Sequence, residues 1–276
     1  MKLLIYTIVY NNKKNIINLI KNFENLKINI DFLIINNSPI KVNINGIRKK
    51  IKIFNNIRNN YYVGAFNQAI KYSKKKNYTH LIHINDDIFL DKNIFQKLTQ
   101  TIKFQNSMIS PTQCNSKKEI ISNGSKKNFF MGNLKWEIKN KDRLNRSFAP
   151  QGSFFSIPLI KVQNFQIPYK LNNYCEETYI GYFFEKKIKS FFLTKEKFIH
   201  YGADKPEQYS EYKGFFIVRN NILILKKFSK NQKKLYIKLF FYICRCSINM
   251  FYKLFVNPLY SKSILNGIIQ GLKNRI

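Results

Sequence analysis

Acidic residues are scarce in this chain: 15 Asp and Glu stand against 48 Lys and Arg in 276 residues, a formal net charge of +33. A composition rich in Lys, Asn and Ile accounts for part of that excess. A charge this large still draws the protein toward polyanions, whether nucleic acid, an anionic membrane surface or phosphorylated substrates. Cysteine is scarce too. Cys114, Cys175, Cys244 and Cys246 lack zinc-ligand spacing, and Cys244-x-Cys246 has neither a second pair nor a nearby His, so free thiols in a reducing compartment are expected. No uncharged apolar run approaches the roughly 20 residues of a membrane span. The apolar stretch at residues 3–10 has no small-x-small cleavage pattern and runs into Asn11-Asn12-Lys13-Lys14, so it reads as a first core strand and not as a signal peptide. With 45% hydrophobic residues the chain can bury a full core.

The first hundred residues alternate strand and helix: strand 3–10, helix 15–26, strand 28–35 closed by Asn36-Asn37-Ser38-Pro39, short strand 51–54, helix 63–73, strand 79–84, then a helix capped by Asp91 and running to about residue 104. Such alternation predicts an α/β fold with a mostly parallel sheet covered by helices on both faces. Its chemistry gathers at the carboxyl ends of the strands, where Asn36, Asn37 and Asp86-Asp87 fall. From 109 to 202 short strands and polar loops (Gly124-Ser125-Lys126-Lys127 and 140–146) are expected, with a helix from Glu176 to about 188 and a strand over 191–200. Residues 1–211 read as one catalytic domain with halves at 1–105 and 106–211, followed by a basic helical segment, 212–276. No acid occurs after Glu211, while 13 Lys and Arg do. Lys234, Lys238, Arg245, Asn249 and Lys253 share one helical face, with Phe240, Ile243, Met250, Phe251 and Leu254 elsewhere around the helix. That pattern reads as a helix lying on anionic lipid; the plainer reading is a packed helix with solvated lysines.

Only two places hold adjacent acids, Asp86-Asp87 and Glu176-Glu177. Close-set carboxylates repel each other unless a cation or a shared proton relieves them. Asn85-Asp86-Asp87 ends a strand and suits Mg²⁺ or Mn²⁺, which take oxygen ligands and share them with substrate phosphates. Taken alone it reads equally well as a turn cap and a helix start. His80 and His83 alternate with Leu81 and Ile82, so they are expected to face helices and not to be ligands. Phe129, Phe130 and Trp136 read as core or as carbohydrate-stacking residues.

The ordered neighbours decide between these readings. Asn59-Asn60-Tyr61-Tyr62-Val63-Gly64-Ala65-Phe66-Asn67-Gln68-Ala69-Ile70 resembles the N-x-G-f-a-g-g-x-N-x-G-I stretch of family 2 glycosyltransferases, with Tyr61 and Ala69 where the family often has Gly. Val9-Tyr10-Asn11 resembles that family's opening T-Y-N. Ile35-Asn36-Asn37-Ser38 resembles V-D-N-x-S with Asn36 in place of the base-reading Asp, and Asn85-Asp86-Asp87 resembles the D-x-D metal motif. Further on, Gln151-Gly152-Ser153-Phe154-Phe155 resembles the segment lining the sugar pocket. Glu176-Glu177 resembles the E-D pair that supplies the base, and Ile199-His200-Tyr201-Gly202 the v-x-H-x-G element that completes the metal site. Val218-Arg219-Asn220 resembles Y-x-x-R-N, and 265–272 resembles the closing G-x-x-d-G-l of rhamnosyltransferase-like members.

The resemblance covers nearly the whole chain and implies a GT-A fold and an inverting, metal-dependent sugar transfer. Asp87, with Asp86 and His200, would hold Mg²⁺ or Mn²⁺. Tyr10, Asn11 and Asn36 would hold the base and Asn85 the ribose, with Asn59, Gly64, Asn67, Gly152 and Arg219 completing the donor site. Glu177, or Glu176, would be the base. The implied donor is a UDP- or dTDP-sugar and the implied acceptor a lipid-linked or cell-surface glycan. The expected location is cytoplasmic, at an anionic membrane surface. Two alternatives are a sugar nucleotidyltransferase and a nucleic-acid-binding protein. The first lacks its Gly-rich loop, since residues 11–15 contain no Gly, and the second leaves the acidic pairs unexplained because they would repel phosphate.

Overall fold

The alternation of the first strand sets the layering. In β1 (Leu3–Val9), Leu3, Ile5 and Val9 are buried in one core cluster, while Leu4 and Tyr6 are buried in another on the opposite face. A strand buried on both sides needs helices on both sides. The computed structural model describes residues 1–26, 30–42, 50–89, 91–104, 106–139, 144–162, 164–204 and 210–276. After β1 the chain runs through α1 (Lys13–Asn25), β2 (Asp31–Asn36), β3 (Ile51–Asn55), α2 (Tyr61–Lys75), β4 (His80–Ile84), β5 (Ile88–Phe89), α3 (Lys92–Phe104) and β6 (Met108–Cys114). It continues through β7 (Ile120–Ser122), β8 (Gly124–Lys127), β9 (Leu134–Glu137), β10 (Leu144–Ser147), β11 (Phe154–Pro158), α4 (Glu176–Phe184) and β12 (Ser190–His200). It closes with α5 (Glu211–Phe228), α6 (Gln232–Leu254) and α7 (Pro258–Lys273).

The main sheet has the order β10-β12-β6-β11-β4-β1-β2-β3, with β5 beside β12 and β7 beside β6. β3, β2, β1 and β4 are parallel, with α1 crossing from β1 to β2 and α2 from β3 to β4. β11 enters antiparallel to β4, with Phe154 opposite Ile84. This reversal delivers the turn before β11 to the carboxyl end of β4, where Asn85 N donates to Ser153 O at 2.9 Å. On one face α1 buries Ile16, Leu19, Ile20 and Phe23, and α3 adds Ile94, Phe95, Leu98 and Ile102. On the other, α2 buries Val63, Phe66 and Ile70 with Tyr179, Ile180 and Phe184 of α4 and Leu223 and Ile224 of α5. Each such side chain contributes about 1.5–3 kcal/mol of burial.

Two of the expected elements differ. α4 stops at Phe184 and not near 188: Glu185-Lys186-Lys187 offers no apolar residue to the core, and Ile188 N closes the turn on Phe184 O at 3.0 Å. Residues 124–127, expected as a loop, form β8 and pair with β9, where Lys126 and Lys139 both reach Glu137. The start expected for the second strand, residues 28–29, and most of the expected loop 140–146 lie outside the described residues. Among the described residues no helix is long and apolar enough to cross a membrane.

Candidate active site

β5 pairs with the end of β12, setting His200 opposite Ile88 and beside the turn that carries Asp87. His200 Nε2 lies 3.1 Å from Asp87 Oδ1, and Tyr201 N donates to Asp87 O at 3.1 Å. The fit depends on glycine: a Cβ on Gly202 would fall 2.5 Å from Asp87 Oδ2 and 3.0 Å from His200 Nε2. Behind the ring, Gln113 Nε2 donates to Nδ1 at 2.6 Å, and Gln113 Oε1 accepts from Gln151 Nε2, which fixes the amide's orientation. A neutral ring that accepts at Nδ1 carries its proton on Nε2, facing Asp87. Asn85 sits between the two histidines. Its Oδ1 accepts from His83 Nε2 at 3.1 Å and its Nδ2 lies 3.4 Å from His200 Nε2. His83 is buried against Tyr6, Tyr62 and Phe155, and burial lowers its pKa to about 3, so it stays neutral.

Asp86 hydrogen-bonds the Asn15 side chain on α1. Burial and the neighbouring Asp87 raise its carboxyl to about 7. It lines a cleft of about 580 Å³ with Asn12, Lys21, Asp87, Tyr201 and Gly202. Both acids line that cleft, Asp86 reaching Asn15 and Asp87 beside His200, and among the described residues no group of three or more His, Cys, Asp or Glu is arranged around one metal position. What the geometry offers a divalent cation is the Asp87 carboxylate with His200 Nε2 beside it and a glycine wall. That fits a cation whose remaining ligands are phosphate oxygens and water.

The second acidic pair opens α4. Glu176 is buried and Glu177 partly exposed. Burial raises the Glu177 carboxyl, and burial together with Glu177 raises that of Glu176 well above the usual range. A Cβ on Gly152 would fall 1.7 Å from Glu177 Oε1, so the carboxylate lies directly against the backbone of the β11 turn. The next residue, Ser153, accepts from Asn85 N, and its Oγ is 3.4 Å from His200 Nδ1. Gly152-Ser153 thus joins the two acidic stations into one site.

The approach to α4 is unusual. Asn172, Tyr174 and Cys175 all have positive φ, of 56°, 66° and 66°. Each such backbone conformation costs about 1–3 kcal/mol. Asn220 of α5, wholly buried, holds the segment: its Nδ2 donates to Leu171 O and Asn173 O at 2.8 Å and to Tyr174 O at 3.0 Å. Asn220→Ala is expected to lower kcat at least tenfold with donor Kd unchanged, and to lower stability by about 2–3 kcal/mol through the orphaned carbonyls. Steady-state kinetics beside donor titration checks this; a loss of donor affinity with kcat intact would contradict the positioning role.

The remaining expected site residues are more dispersed. Tyr10 is exposed at the end of β1, and Asn11, with φ 54°, donates its N–H to Ser38 Oγ at 2.7 Å. Asn36 is fully buried. Its Nδ2 donates to Ile40 O and Asn55 Oδ1 and its Oδ1 accepts from Ser38 N, so both donors are engaged in holding the loop after β2 and the end of β3. Asn59 Oδ1 accepts from Tyr61 N, and Gly64 N donates to Asn60 O in the first turn of α2. Asn67 exchanges two hydrogen bonds with the Ile167 backbone, 2.8 and 3.0 Å, tying α2 to a distant loop. Arg219 donates to Lys170 O and stacks on Phe216, 4.5 Å from the ring centroid. The structure therefore gathers Asn85, Asp87, Gly152, Glu177 and His200, sets Asp86 alongside, and engages Asn36, Asn67 and Arg219 within the protein. Sequence reasoning missed Gln113 and Asn15, and met Asn220 only as part of the Val218-Arg219-Asn220 motif, without a role. Gln113 had one available signal, a polar residue within a strand otherwise destined for burial.

Two solved structures share the architecture. TarS from S. aureus superimposes with a TM-score of 0.56 at 9% identity, covering 85% of this chain and 41% of TarS, so the chain spans well under half of that protein. The mannosyltransferase PcManGT from Pyrobaculum calidifontis, solved with GDP-Man and Mn²⁺, gives 0.57 at 6% identity, covering 98% of this chain and 87% of that one. Identities this low speak to the fold, which is the GT-A arrangement expected. No curated protein sequence matches the chain. The left-handed φ of 54° at Tyr61 shows why Gly is common at that motif position. The sequence model of glycosyl transferase family 2 matches residues 4–166, more than half of the chain and a span that includes Asp87 and Gly152, and the chain belongs to that family.

Proposed function

We propose that the protein is an inverting glycosyltransferase that moves a sugar from a nucleotide-diphosphate donor to an acceptor hydroxyl, with Asp87 on the donor side and Glu177 on the acceptor side. The observation that carries this reading is the shared Gly152-Ser153 segment, which touches Glu177 through Gly152 and Asn85 and His200 through Ser153. Glu177 accepts the proton of the acceptor hydroxyl as that oxygen forms its bond to the anomeric carbon from the face opposite the diphosphate. The bond from that carbon to the diphosphate breaks, and the nucleotide diphosphate leaves with the electron pair. One displacement inverts the anomeric centre. A carboxyl raised by burial is a stronger base at neutral pH than an ordinary glutamate.

Asp87, with His200 beside it, would hold Mg²⁺ or Mn²⁺, which when bound offsets the charge developing on the diphosphate. For His200 Nε2 to serve as a ligand, the proton now facing Asp87 must leave that nitrogen. Asn85 is better placed to orient His200 than to hold a ribose, and with Asn36 engaged internally the exposed Tyr10 is the nearest candidate to meet the base. A UDP- or dTDP-sugar is the proposed donor, and a lipid-linked or cell-surface glycan at the cytoplasmic face of the membrane the proposed acceptor. The +33 charge supports work at an anionic surface, while acids at both stations disfavour a nucleic-acid partner.

A thermal-shift screen of nucleotide sugars with Mg²⁺ or Mn²⁺ tests the reading. One donor at roughly 100 times its Kd should raise Tm by about 5–10 °C. No shift with any nucleotide sugar in the presence of either cation would overturn it.

A further inference from the structure

α6 carries two apolar arcs, and packing on one domain covers only one of them. Packing takes one arc: Leu235, Leu239, Tyr242 and Cys246, spaced 4, 3 and 4, are buried against α5 and α7. The opposite arc, Ile237, Phe240, Phe241, Ile248, Phe251 and Tyr252, faces solvent, with Phe240 and Phe251 each 63% exposed and Tyr252 72%. Of the cations expected to form the free face, Lys234, Lys238 and Arg245 instead share one flank, between the packed arc and the outward one, while Lys253 falls on the line of Leu235 near the end of the helix. A second element joins the ridge. The turn between β8 and β9 holds Phe129 at 85% and Phe130 at 59% exposure, and the Phe130 ring lies 5.6 Å from that of Phe241. Neither aromatic is core, which corrects one of the sequence expectations for this turn.

We propose that this ridge, the outward arc of α6 with Phe129 and Phe130, inserts into the headgroup region of an anionic bilayer. An aromatic face flanked by cations matches what an interfacial helix needs: apolar area to bury and positive charge beside it. Charge selects lipid over a second copy of the chain. With 13 cations and no acid after Glu211, two such faces would bring like charges together. The flanking lysines can keep their ammonium groups at the phosphates while their stems cover apolar surface. No residue of the ridge is among those gathered around Asp87 and Glu177, so the proposal does not depend on which sugar is transferred.

Sedimentation of the full chain with phosphatidylglycerol/phosphatidylcholine vesicles, and with phosphatidylcholine alone, tests this. The protein is expected to partition onto the anionic vesicles. Phe240→Ser/Phe251→Ser and Phe129→Ser/Phe130→Ser should each weaken partition by about tenfold or more, since each pair withdraws two aromatic rings from lipid. Donor-induced thermal stabilisation should be unchanged in both, because none of the four residues is among those gathered around Asp87 and Glu177. In a Trp136→Phe/Phe251→Trp protein, tryptophan emission should shift to the blue when anionic vesicles are added. Absence of binding, or equal binding by the serine variants, would overturn the proposal. So would a dimer in light scattering that the same substitutions convert to monomer while vesicle binding is absent.

Discussion

Glu177→Gln is expected to keep donor binding and to lose transfer by about 10²–10⁴-fold, the range general-base catalysis contributes. Glutamine fills the same space against Gly152, so the local packing survives and only the basic oxygen is lost. The loss belongs in kcat, with the donor Kd unchanged. The pH profile gives a second readout. Burial raises the Glu177 pKa, and the base must be ionised to act, so activity falls as pH drops through a value above the ordinary glutamate pKa of about 4.3. That acid limb should vanish from the residual activity of the variant. Stability should move in the opposite sense. A carboxyl whose folded pKa is raised favours the folded state only below that pKa, so replacing it with neutral Gln should raise Tm at neutral pH. If Glu177→Gln stays fully active while Glu176→Gln does not, the base is Glu176.

The second large effect is on the donor side. Asp87→Ala is expected to weaken cation-dependent donor binding by about 100-fold, because a carboxylate facing the diphosphate contributes several kcal/mol through the ion it holds. Gly202→Ala should reproduce much of this defect without removing any ligand, since its new Cβ would fall 2.5 Å from Asp87 Oδ2. Asp86→Ala should be milder, because Asp86 hydrogen-bonds Asn15 on α1. Donor titration by calorimetry with and without Mn²⁺ separates the three. Equal defects in Asp86→Ala and Asp87→Ala would mean that both carboxylates face the ion.

These expectations show which parts of the molecule were legible in the sequence. The period-two pattern in β1 and the 3-1-3 spacing of Ile16, Leu19, Ile20 and Phe23 dictate their elements, because local burial chooses the face. The strand-end acids were visible because a basic chain leaves few carboxylates to consider. Hidden features all depend on long-range pairing. β11 lies antiparallel between β4 and β6, and nothing local in Phe154–Pro158 says so, yet this pairing joins the two acidic stations. Asp86 reaches Asn15 and Asp87 lies beside His200, both partners distant in the chain, so Asp86 and Asp87 could not be told apart from their order alone. Asn36 looked like a ligand-facing residue because one of its partners, Asn55, lies at the end of the neighbouring strand β3, and that pairing is a tertiary fact. In α6 two apolar arcs compete for the interior, and periodicity cannot say which one α5 and α7 will cover.

The central claim is that Asp87 and Glu177 flank one sugar-transfer site. Release of nucleotide diphosphate from the donor found by thermal shift, followed with Mg²⁺, with Mn²⁺ and with chelator, tests it most directly. Release should require a divalent cation and should fall to background in Asp87→Ala. Release that proceeds equally in chelator, or equally in Asp87→Ala, would contradict the account.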